Sequence, residues 1–504
     1  MAVDLIAVLF VPLAGGLVSW FAPGRPARAA TLVAGAATLG LSIALVPAVV
    51  AHTAVEAGTY LRADAVSVVF LITVAFLYAL TSIFSLGYMK GAAELEHGAV
   101  HDRRFWATFN LFAWSMAVAP IVNGLALLWV AIEVTTVVSA LMVALDDTDG
   151  ATEAAWKYVL IASMGLGIAL LATVIMYYAG SVVYGSSYDL SYTHLLAGAA
   201  RLPADAVRLS YLLAVLGFGT KMGLVPVHTW LPDAHSEAPT PVSALLSGSL
   251  LAVSFYAILR YYQVTARAVG PAFARDVLLG FGIATLVLAA LYLLSQRDLK
   301  RLLAYSSVEH MGILAIGMSF GAPVAIVGVL LHVLAHAAAK GSAFFGAGSV
   351  LRKYGTKDLA KVRGGIGALP WTGPLLVLAV LGLSAMPPSG VFRSEFLIVS
   401  GGLSSGGSTG PAVALVVLAV VAFVGLCWYV TRTMMSPTPG LGAPVDTSAS
   451  APARTATGFK GETSAAMVAA MVIGITALAL LGVHPPGQLN DLLHRAAAEL
   501  AGRS

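Results

Sequence analysis

Residues 217–248, GFGTKMGLVPVHTWLPDAHSEAPTPVSALLSG, place a lysine and four prolines in or beside an apolar segment. Proline removes a backbone donor and clashes with the preceding helical turn, so a helix through this stretch must be interrupted. An interrupted helix at membrane depth is tolerated only where the freed backbone is buried in protein or lines a wet cavity. The stretch therefore predicts a discontinuous transmembrane helix, with Lys221 beside the break as a candidate proton carrier.

The composition of the whole chain is that of a membrane protein. Of its 504 residues, 59% are hydrophobic and 10% are charged, and the mean hydropathy is +0.88. A soluble protein carries about 25% charged residues, and a disordered chain combines low hydrophobicity with a net charge larger than the +4 found here. The basic residues lie in short loops between apolar runs, which indicates membrane topology and excludes nucleic-acid binding.

Apolar segments long enough to cross a bilayer recur along the chain. A transmembrane helix needs about 20 apolar residues, and about fourteen segments meet this requirement. They are 3–22, 29–51, 65–88, 105–121, 124–145, 157–178, 208–231, 241–263, 274–294, 302–319, 323–347, 372–403, 410–434 and 464–483. Residues 487–502 are expected to form a short amphipathic surface helix.

The orientation follows from the loops. Those after odd-numbered spans carry about twice as many lysines and arginines as those on the opposite side, and the positive-inside rule places basic loops in the cytoplasm. We therefore expect a multi-pass protein of the cell (inner, plasma) membrane with both termini extracytoplasmic. Glycines at 165–167 and 217–219 lie within spans and are expected to allow close helix packing.

Five charges are expected within the spans, where each costs about 2.5–3.5 kcal/mol unless it has a partner, a wet cavity or a function. These charges are Glu133, Lys221, Lys340, Arg393 and Glu395. A buried ion pair that only fixes helix packing is the structural alternative for Glu133 and Lys221. Beyond the first break, the residues His228, Asp233, His235 and Glu237 are more typical of loop or capping positions than of a relay.

A second break is predicted in LSAMPPSGVFRSEFLIV, residues 383–399, where Pro387 and Pro388 precede the last two charges. Two interrupted segments about five spans apart suggest inverted structural repeats with a site at each. Residues two apart on a helix point about 200° away from each other, so Arg393 and Glu395 should not form a close pair. We nevertheless expect Arg393 to tune Glu395.

Between the breaks, His332, His336 and Lys340 recur at every fourth residue and share one helical face. Three titratable groups along one stripe are typical of a proton wire. Metal binding by the two histidines is the competing interpretation, which the lack of a neighbouring carboxylate or cysteine in the sequence disfavours. Because Cys427 is the single cysteine, an iron–sulfur cluster held by this chain is excluded, and we expect no cofactor or metal in it.

Several stretches together resemble the antiporter-like subunits shared by respiratory complex I, Mrp cation/proton antiporters and group 4 membrane-bound hydrogenases. The resemblance covers residues 65–435 and rests on WVAIEVTT, KMGLVPVHTWLPDAHSEAPTPVSALLSG, DLKRLLAYSSVEHMG, HVLAHAAAKGSAFFGAGSV and MPPSGVFRSEFLI. Within that superfamily EAAWKYVLIASMGLG, SSVEHMG and PPSGVFRSEF look most like the F component of hydrogenase-4.

The resemblance implies an all-α polytopic fold of about fourteen transmembrane helices, with two inverted five-helix repeats that each contain a discontinuous helix. By position, Glu133 matches the glutamate of the fifth helix and Lys221 its partner lysine on the broken seventh. The stripe of His332, His336 and Lys340 matches the central residues of the eleventh helix, and Glu395 the terminal titratable residue of the broken twelfth. The secondary candidates are His228, His310 and Arg393.

One departure is Ala252, which stands where complex I subunits often carry a lysine on the eighth helix. The implied division is 1–104 for helices 1–3, 105–265 and 266–435 for the two repeats, 436–463 for a flexible linker rich in Pro, Gly, Ser and Thr, and 464–504 for helix 14 and the tail.

The function expected from this resemblance is proton translocation by a non-redox membrane subunit of an oxidoreductase complex. Its partners would be other membrane subunits, the lipid bilayer and a soluble redox arm carrying metal or flavin centres. Three alternatives stay open: a subunit of a redox-independent sodium/proton antiporter, a subunit of a bicarbonate-uptake system, and a membrane anchor that has lost pumping.

Overall fold

The computed structural model describes residues 2–51, 54–90, 98–185, 188–189, 191–437 and 461–502. Within these ranges the sole strands are the antiparallel hairpin β1 (Val55–Ala57) and β2 (Leu61–Ala63). The helices are α1 (Ala2–Phe21), α2 (Arg25–Ala44), α3 (Val46–Ala51), α4 (Ala65–Tyr88), α5 (Gly98–Val118), α6 (Leu125–Val143), α7 (Asp149–Tyr184), α8 (Tyr192–Gly198), α9 (Ala204–Met222), α10 (Trp230–Glu237), α11 (Thr240–Leu245), α12 (Leu251–Val269), α13 (Pro271–Leu293), α14 (Leu299–Phe320), α15 (Pro323–Tyr354), α16 (Gly365–Ala368), α17 (Thr372–Leu383), α18 (Gly390–Ser404), α19 (Thr409–Met435), α20 (Ala465–Val483) and α21 (Gly487–Leu500).

Ten segments of the described chain are long and apolar enough to cross a membrane. One of them runs from Thr240 to Val269 and joins α11 to α12 through a π-helical turn at Leu246–Leu250. The helices α5 and α14 and the interrupted pairs α9/α10 and α17/α18 supply the remaining four crossings. The predicted fold class, an all-α polytopic membrane protein, is confirmed.

The helices extend further than hydropathy alone indicates. The sixth predicted span, 157–178, lies inside the 36 residues of α7. Thr148 caps the N-terminus of α7 by accepting a hydrogen bond from Ala151 N at 3.1 Å, and Gly185 ends the helix with a φ of 79°. Hydropathy marks the part of a helix that lies in the bilayer, whereas capping residues mark where it ends.

Two runs of five crossings follow the same plan. The first is α5, α6, α7, α9/α10 and α11–α12, and the second is α13, α14, α15, α17/α18 and α19. In each run the fourth crossing is the interrupted one, and the third packs along it, α7 on α9 and α15 on α18. The domain boundaries expected from the sequence stay a prediction. The expected linker at 436–463 lies largely outside the described residues.

Both predicted breaks are present. The helix α9 stops at Met222, Gly223 follows in the left-handed conformation with a φ of 90°, and the chain becomes helical again at Trp230. The helix α17 stops at Leu383, and Ser389 caps the restart by accepting a hydrogen bond from Phe392 N at 3.1 Å.

Glycine sets the distance between α7 and α9. A Cβ added at Gly217 would lie 2.5 Å from the backbone nitrogen of Ala169, and one at Gly165 would overlap the side chain of Thr220. Gly167, in contrast, has nothing within 4 Å of such a Cβ. Close packing therefore depends on Gly165 and Gly217, which confirms two members of the predicted glycine clusters.

The predicted amphipathic helix after the last span is α21, whose apolar face packs against α3, α4 and α15. Its buried Glu499 accepts hydrogen bonds from Ala65 N at 3.4 Å and Val66 N at 3.3 Å, at the start of α4. Burial, followed by the negative charge of Asp64, raises the pKa of Glu499 to about 8. The C-terminal helix is thus docked through a carboxyl group that holds a proton at neutral pH.

Candidate functional site

Glu133 lies in the middle of α6, where its side chain is half-buried. Its Oε1 accepts a hydrogen bond from Ser163 Oγ of α7 at 3.3 Å. Its Oε2 is buried and has no hydrogen-bond partner among the described residues. A buried carboxylate oxygen without a partner is costly, so Glu133 is poised to accept a proton or a donor.

Lys221 is fully buried in the last turn of α9, directly before the first break. Its Nζ donates a hydrogen bond to Thr136 Oγ1 of α6 and lies 5.3 Å from the centre of the Tyr158 ring. Glu133 and Thr136 are three residues apart on α6 and therefore share a face. The lysine is thus held one helical turn from the glutamate, and the two do not form a direct ion pair.

His235 lies between the two lysines of the site. Its ring is fully buried, with its centre 6.0 Å from that of Trp230 and 6.1 Å from that of Phe344. Trp230 Nε1 donates to the carbonyl of Thr220 at 2.8 Å, next to Lys221, and Phe344 follows Lys340 by one turn of α15. The assignment of His235 to a loop or capping position is therefore wrong, because α10 folds back into the protein.

The neighbouring residues beyond the first break differ in burial. His228 is 6% exposed, and its Nδ1 has no partner among the described residues. Asp233 pairs with Arg301 at 3.0 Å, and Glu237 pairs with Lys357 at 2.6 Å. Both carboxylates are partly exposed, but they lie in the helix α10 and not in a loop.

Lys340 is fully buried on α15 and bonds to α14. Its Nζ donates to the carbonyl of Leu303 at 2.7 Å and to Ser306 Oγ. Glu309 follows Ser306 by three residues on the same face of α14 and is 6% exposed. The two lysines therefore have the same surroundings. Each donates a hydrogen bond to a hydroxyl group on the neighbouring helix, and each has a glutamate one helical turn from that hydroxyl.

Three histidines form a cluster one turn of α15 from Lys340. The rings of His310 and His332 have their centres 5.0 Å apart, as do those of His310 and His336, while His332 and His336 are 6.3 Å apart. All three side chains are 99% buried or more. The prediction that His332, His336 and Lys340 share one face of α15 is consistent with this packing, and α14 adds His310 to the group.

The hydrogen bonds of this group have a direction. Ser394 Oγ donates to the carbonyl of Val391 at 2.7 Å, so it accepts from His332 Nδ1 at 2.9 Å. His332 Nε2 then carries a lone pair and accepts from His310 Nδ1 at 3.0 Å. His310 Nε2 is left as a buried acceptor without a partner among the described residues. When both rings are neutral, the hydrogen bonds therefore run in one direction, from His310 through His332 to Ser394.

Glu395 follows Ser394 on α18 and is half-buried. One ligand-type atom each from His310, His332 and Glu395 lie within 4.8 Å of one another. The guanidinium of Arg393 points elsewhere and donates to the carbonyls of Gly482 and Val483 at 3.3 and 3.4 Å, at the end of α20. The expected tuning of Glu395 by Arg393 therefore has no direct contact behind it.

Two buried titratable residues of this region, Glu309 and His235, were not predicted from the sequence as site residues. Glu309 lies in the middle of the predicted span 302–319, so its signal is present in the sequence. For His235 the signal was hidden, because its burial depends on α10 turning back after the break. Ala252 is buried in α12 without a titratable group, and His235 is the buried base between Lys221 and Lys340.

Comparison with known proteins identifies the family of this chain. Residues 122–422 match a family model described as NADH:quinone oxidoreductase/Mrp antiporter, transmembrane. The chain belongs to this family. A hydrogenase-4 component F homolog of Methylacidiphilum infernorum is 36% identical over 345 residues, which cover 68% of this chain and 72% of that protein.

Other members of the NADH:quinone oxidoreductase/Mrp antiporter family are similar over longer stretches. NADH-quinone oxidoreductase subunit N of Desulforudis audaxviator is 30% identical over 412 residues, which cover 81% of this chain and 79% of that protein. A chain of the membrane-bound sulfane sulfur reductase, an archaeal respiratory membrane complex, superposes with a TM-score of 0.84 at 19% identity and covers 99% of this chain and 98% of its own. The predicted superfamily is confirmed, and the last comparison shows a shared fold.

Proposed function

We propose that this chain is a proton-translocating subunit of a multisubunit membrane complex of the hydrogenase-4 or NADH-quinone oxidoreductase type. The observation that supports this most is a series of buried titratable side chains that runs between the two helix breaks. In order, the series contains Glu133, Lys221, His235, Lys340, Glu309, His310, His336, His332 and Glu395. Intramembrane ionisable residues are expensive, and function is their default explanation.

In the first step of the proposed path, Lys221 moves between two hydrogen-bond partners, Thr136 and Glu133. When Lys221 bonds to Thr136, Glu133 keeps one carboxylate oxygen, Oε2, without a partner among the described residues. When Lys221 moves to Glu133, the ion pair favours the protonated lysine. Movement between the two partners changes the proton affinity of the amine. Partner subunits would drive this movement, and His235 would receive the released proton.

The second step is transfer along the histidine chain. A proton that reaches the free Nε2 of His310 allows His310 Nδ1 to give its own proton to His332 Nε2 across 3.0 Å. His332 would then release its Nδ1 proton toward Ser394 and the adjacent Glu395. After each passage the rings must return to the starting tautomers before the next proton can follow.

The partner subunits that we propose for this chain are inferred from the names of its relatives. The most similar ones carry names of hydrogenase-4 and NADH-quinone oxidoreductase subunits, so we infer that other membrane subunits and a redox arm with metal or flavin centres surround this chain. The lysine-rich and arginine-rich loops would face the cytoplasm, with both termini outside. The repeats would divide at residues 105–265 and 266–435.

Proton translocation is tested with Lys221→Ala and Glu133→Gln in the native complex, reconstituted in vesicles. Both variants should abolish acidification of the vesicle lumen while the complex remains assembled, because each removes a titratable group on the path. His194→Gln, at an exposed histidine, is the control. Acidification at the wild-type rate by Lys221→Ala would instead exclude Lys221 from the path.

The identity of the ion is tested separately. The series contains four histidines and two lysines with scattered carboxylates, a poor environment for Na⁺, which prefers clustered oxygen ligands. Pumping should therefore be independent of sodium and be collapsed by a protonophore. A requirement for millimolar sodium together with resistance to a protonophore would favour a sodium/proton antiporter subunit.

A further inference from the structure

Three side chains of types that can bind a metal ion lie close together near the second break, and the closeness of a carboxylate to the histidines was not expected from the sequence. Ligand-type atoms of His310, His332 and Glu395 lie within 4.8 Å of one another. No carboxylate or cysteine is close to the histidines along the sequence, but in the folded protein α18 brings Glu395 to them, which removes the objection to metal binding. Three different helices, α14, α15 and α18, each contribute one of these side chains.

The spacing of the two nitrogens suits coordination. Zinc binds histidine nitrogen at about 2.0–2.1 Å, which places neighbouring ligands of a tetrahedron about 3.3 Å apart. His310 Nδ1 and His332 Nε2 are 3.0 Å apart across a hydrogen bond, within a few tenths of an ångström of the separation that a shared ion requires. Both rings must also turn so that the two nitrogens, which now face each other, point at the ion.

The hydrogen bond that orients a ligating histidine is also in place. His332 Nδ1 donates to Ser394 Oγ at 2.9 Å, and that hydroxyl is itself fixed by its bond to the carbonyl of Val391 at 2.7 Å. A hydrogen bond from the far ring nitrogen orients a ligating histidine and turns the lone pair of its other nitrogen toward the metal. The tautomer of His332 is therefore the one that a metal ligand requires.

His336 lies beside this group of three but is not one of the residues whose ligand atoms lie within 4.8 Å of one another, so its ring would have to shift to supply a fourth donor. Its Nε2 is buried and has no hydrogen-bond partner among the described residues, and its ring centre lies 5.0 Å from that of His310. His310 Nε2 is likewise buried without a partner in the described part of the chain. Buried nitrogens without partners are rare because each loses its hydrogen bond to water, and a bound cation would satisfy His336.

We propose that His310, His332, His336 and Glu395 form a binding site for a divalent transition-metal ion of the Zn²⁺ class. Three imidazoles and one carboxylate match the ligands and the four-coordinate geometry of zinc, whereas Ca²⁺ and Mg²⁺ require oxygen ligands.

The proton between the histidines must move when the metal binds. Without a metal, His310 carries its proton on Nδ1, between the two rings. Coordination through Nδ1 requires that this proton move to His310 Nε2, which has no hydrogen-bond partner among the described residues. The imidazoles then stay neutral, and Glu395 loses its proton to the solvent if it held one. The occupied site cannot pass a proton from His310 to His332.

Zinc binding is measured on the purified native complex, without any assay of pumping, so that the result is independent of the proposed function. The complex is equilibrated with buffered free Zn²⁺, the metal content is determined by mass spectrometry, and the ligands are identified by X-ray absorption. We expect one zinc per chain that is absent from His332→Gln, with nitrogen and oxygen ligands at about 2.0–2.2 Å. Glu395→Gln should weaken binding at least tenfold, and Ser394→Ala about tenfold or more because His332 loses its orienting hydrogen bond.

His194→Gln is the matched control, because His194 and Asp189 form an exposed pair with 3.2 Å between their atoms that offers zinc a surface alternative. It should bind zinc as the wild type does. Should His332→Gln fail to assemble, Glu395→Gln and Ser394→Ala decide the question. The proposal is overturned if the wild-type complex takes up no zinc from the buffered Zn²⁺ solution. It is also overturned if Glu395→Gln and Ser394→Ala bind zinc as tightly as the wild type while His194→Gln does not.

Discussion

Lys221 donates a hydrogen bond to Thr136, although Glu133 lies one turn away on the same face of α6. The lysine at the helix break is therefore held beside the acid without being paired with it. Because Glu133 Oε2 has no partner among the described residues, a small movement of the lysine side chain replaces a hydroxyl partner by a carboxylate. Thr136 is thus the group that keeps the two charges apart.

We expect Thr136→Val to slow proton translocation about tenfold, because about 1.4 kcal/mol of altered pairing corresponds to a factor of ten. Valine preserves the shape of the side chain but cannot accept a hydrogen bond, so Lys221 pairs with Glu133 and retains its proton. The rate of vesicle acidification by the assembled complex measures the effect.

Thr135→Val is the matched control for this change. Thr135 is equally buried on the same helix, but its hydroxyl donates only to the carbonyl of Ile132 at 2.6 Å. It should pump at nearly the wild-type rate. Equal rates for the two variants would show that Thr136 does not control the lysine.

The membrane fold could be predicted well from the sequence, because hydropathy, proline and glycine act locally. The break after Lys221 follows from prolines and Gly223, and the break before Arg393 from Pro387 and Pro388. The helix ends were predicted less well, since the ends of α7 and α15 extend beyond the apolar segment and are fixed by capping residues.

The site could be predicted only in part, because its contacts join helices that are far apart in sequence. His332 and His336 were recognised from their spacing on one helix, whereas His310 joins them through the packing of α14 on α15. The burial of His235 and the approach of Glu395 to the histidines depend on how the chain turns after each break. No local pattern encodes such turns.

Glu395→Gln should stop proton translocation, and Glu395→Asp should retain part of it. Glutamine has nearly the same shape as glutamate but cannot exchange a proton. Aspartate can exchange a proton, but its side chain is one methylene shorter, so its carboxyl group lies farther from His332. The pH profile of vesicle acidification distinguishes the two variants. Normal pumping by Glu395→Gln would exclude this carboxyl group from the path.

Arg393→Ala should leave the pH optimum of translocation unchanged. Its guanidinium bonds to the last carbonyls of α20, where a cation stabilises a helix by about 0.3–1 kcal/mol. The variant should therefore lower the thermal stability of the complex slightly. A shift of the pH optimum with unchanged stability would instead indicate that Arg393 acts on Glu395.

Gly217→Ala should destabilise the protein by about 1–3 kcal/mol, the usual cost of overpacking. The added methyl group would lie 2.5 Å from the backbone nitrogen of Ala169, and backbone cannot move aside as a side chain can. Gly167→Ala, at a nearby glycine with open space around it, should be neutral or slightly stabilising, since alanine favours helix by about 0.5–1 kcal/mol. Thermal unfolding of the two variants in the same detergent measures the difference, and equal losses would contradict the packing argument.

The docking of α21 should weaken as the pH rises. Burial and the neighbouring charge of Asp64 raise the pKa of Glu499 from 4.5 to about 8, so the docked helix binds a proton more tightly than the undocked one. The contribution of this group to docking is complete below pH 4.5 and is lost as the pH rises through about 8. Within that window each pH unit changes the docking equilibrium by up to about tenfold.

Glu499→Gln should remove this pH dependence, because glutamine remains uncharged at every pH and its single oxygen can still accept one of the two hydrogen bonds that Ala65 N and Val66 N donate to Glu499. Hydrogen exchange of residues 487–500 in the intact complex, corrected for the intrinsic effect of pH, measures docking at pH values on both sides of the transition. Protection should fall toward high pH in the wild type and in Asp491→Asn, a variant at an exposed position of the same helix, while Glu499→Gln should stay protected. If the wild-type helix were equally protected throughout, or if Glu499→Gln lost protection as the wild type does, the proton on Glu499 would not control the docking of the C-terminal helix.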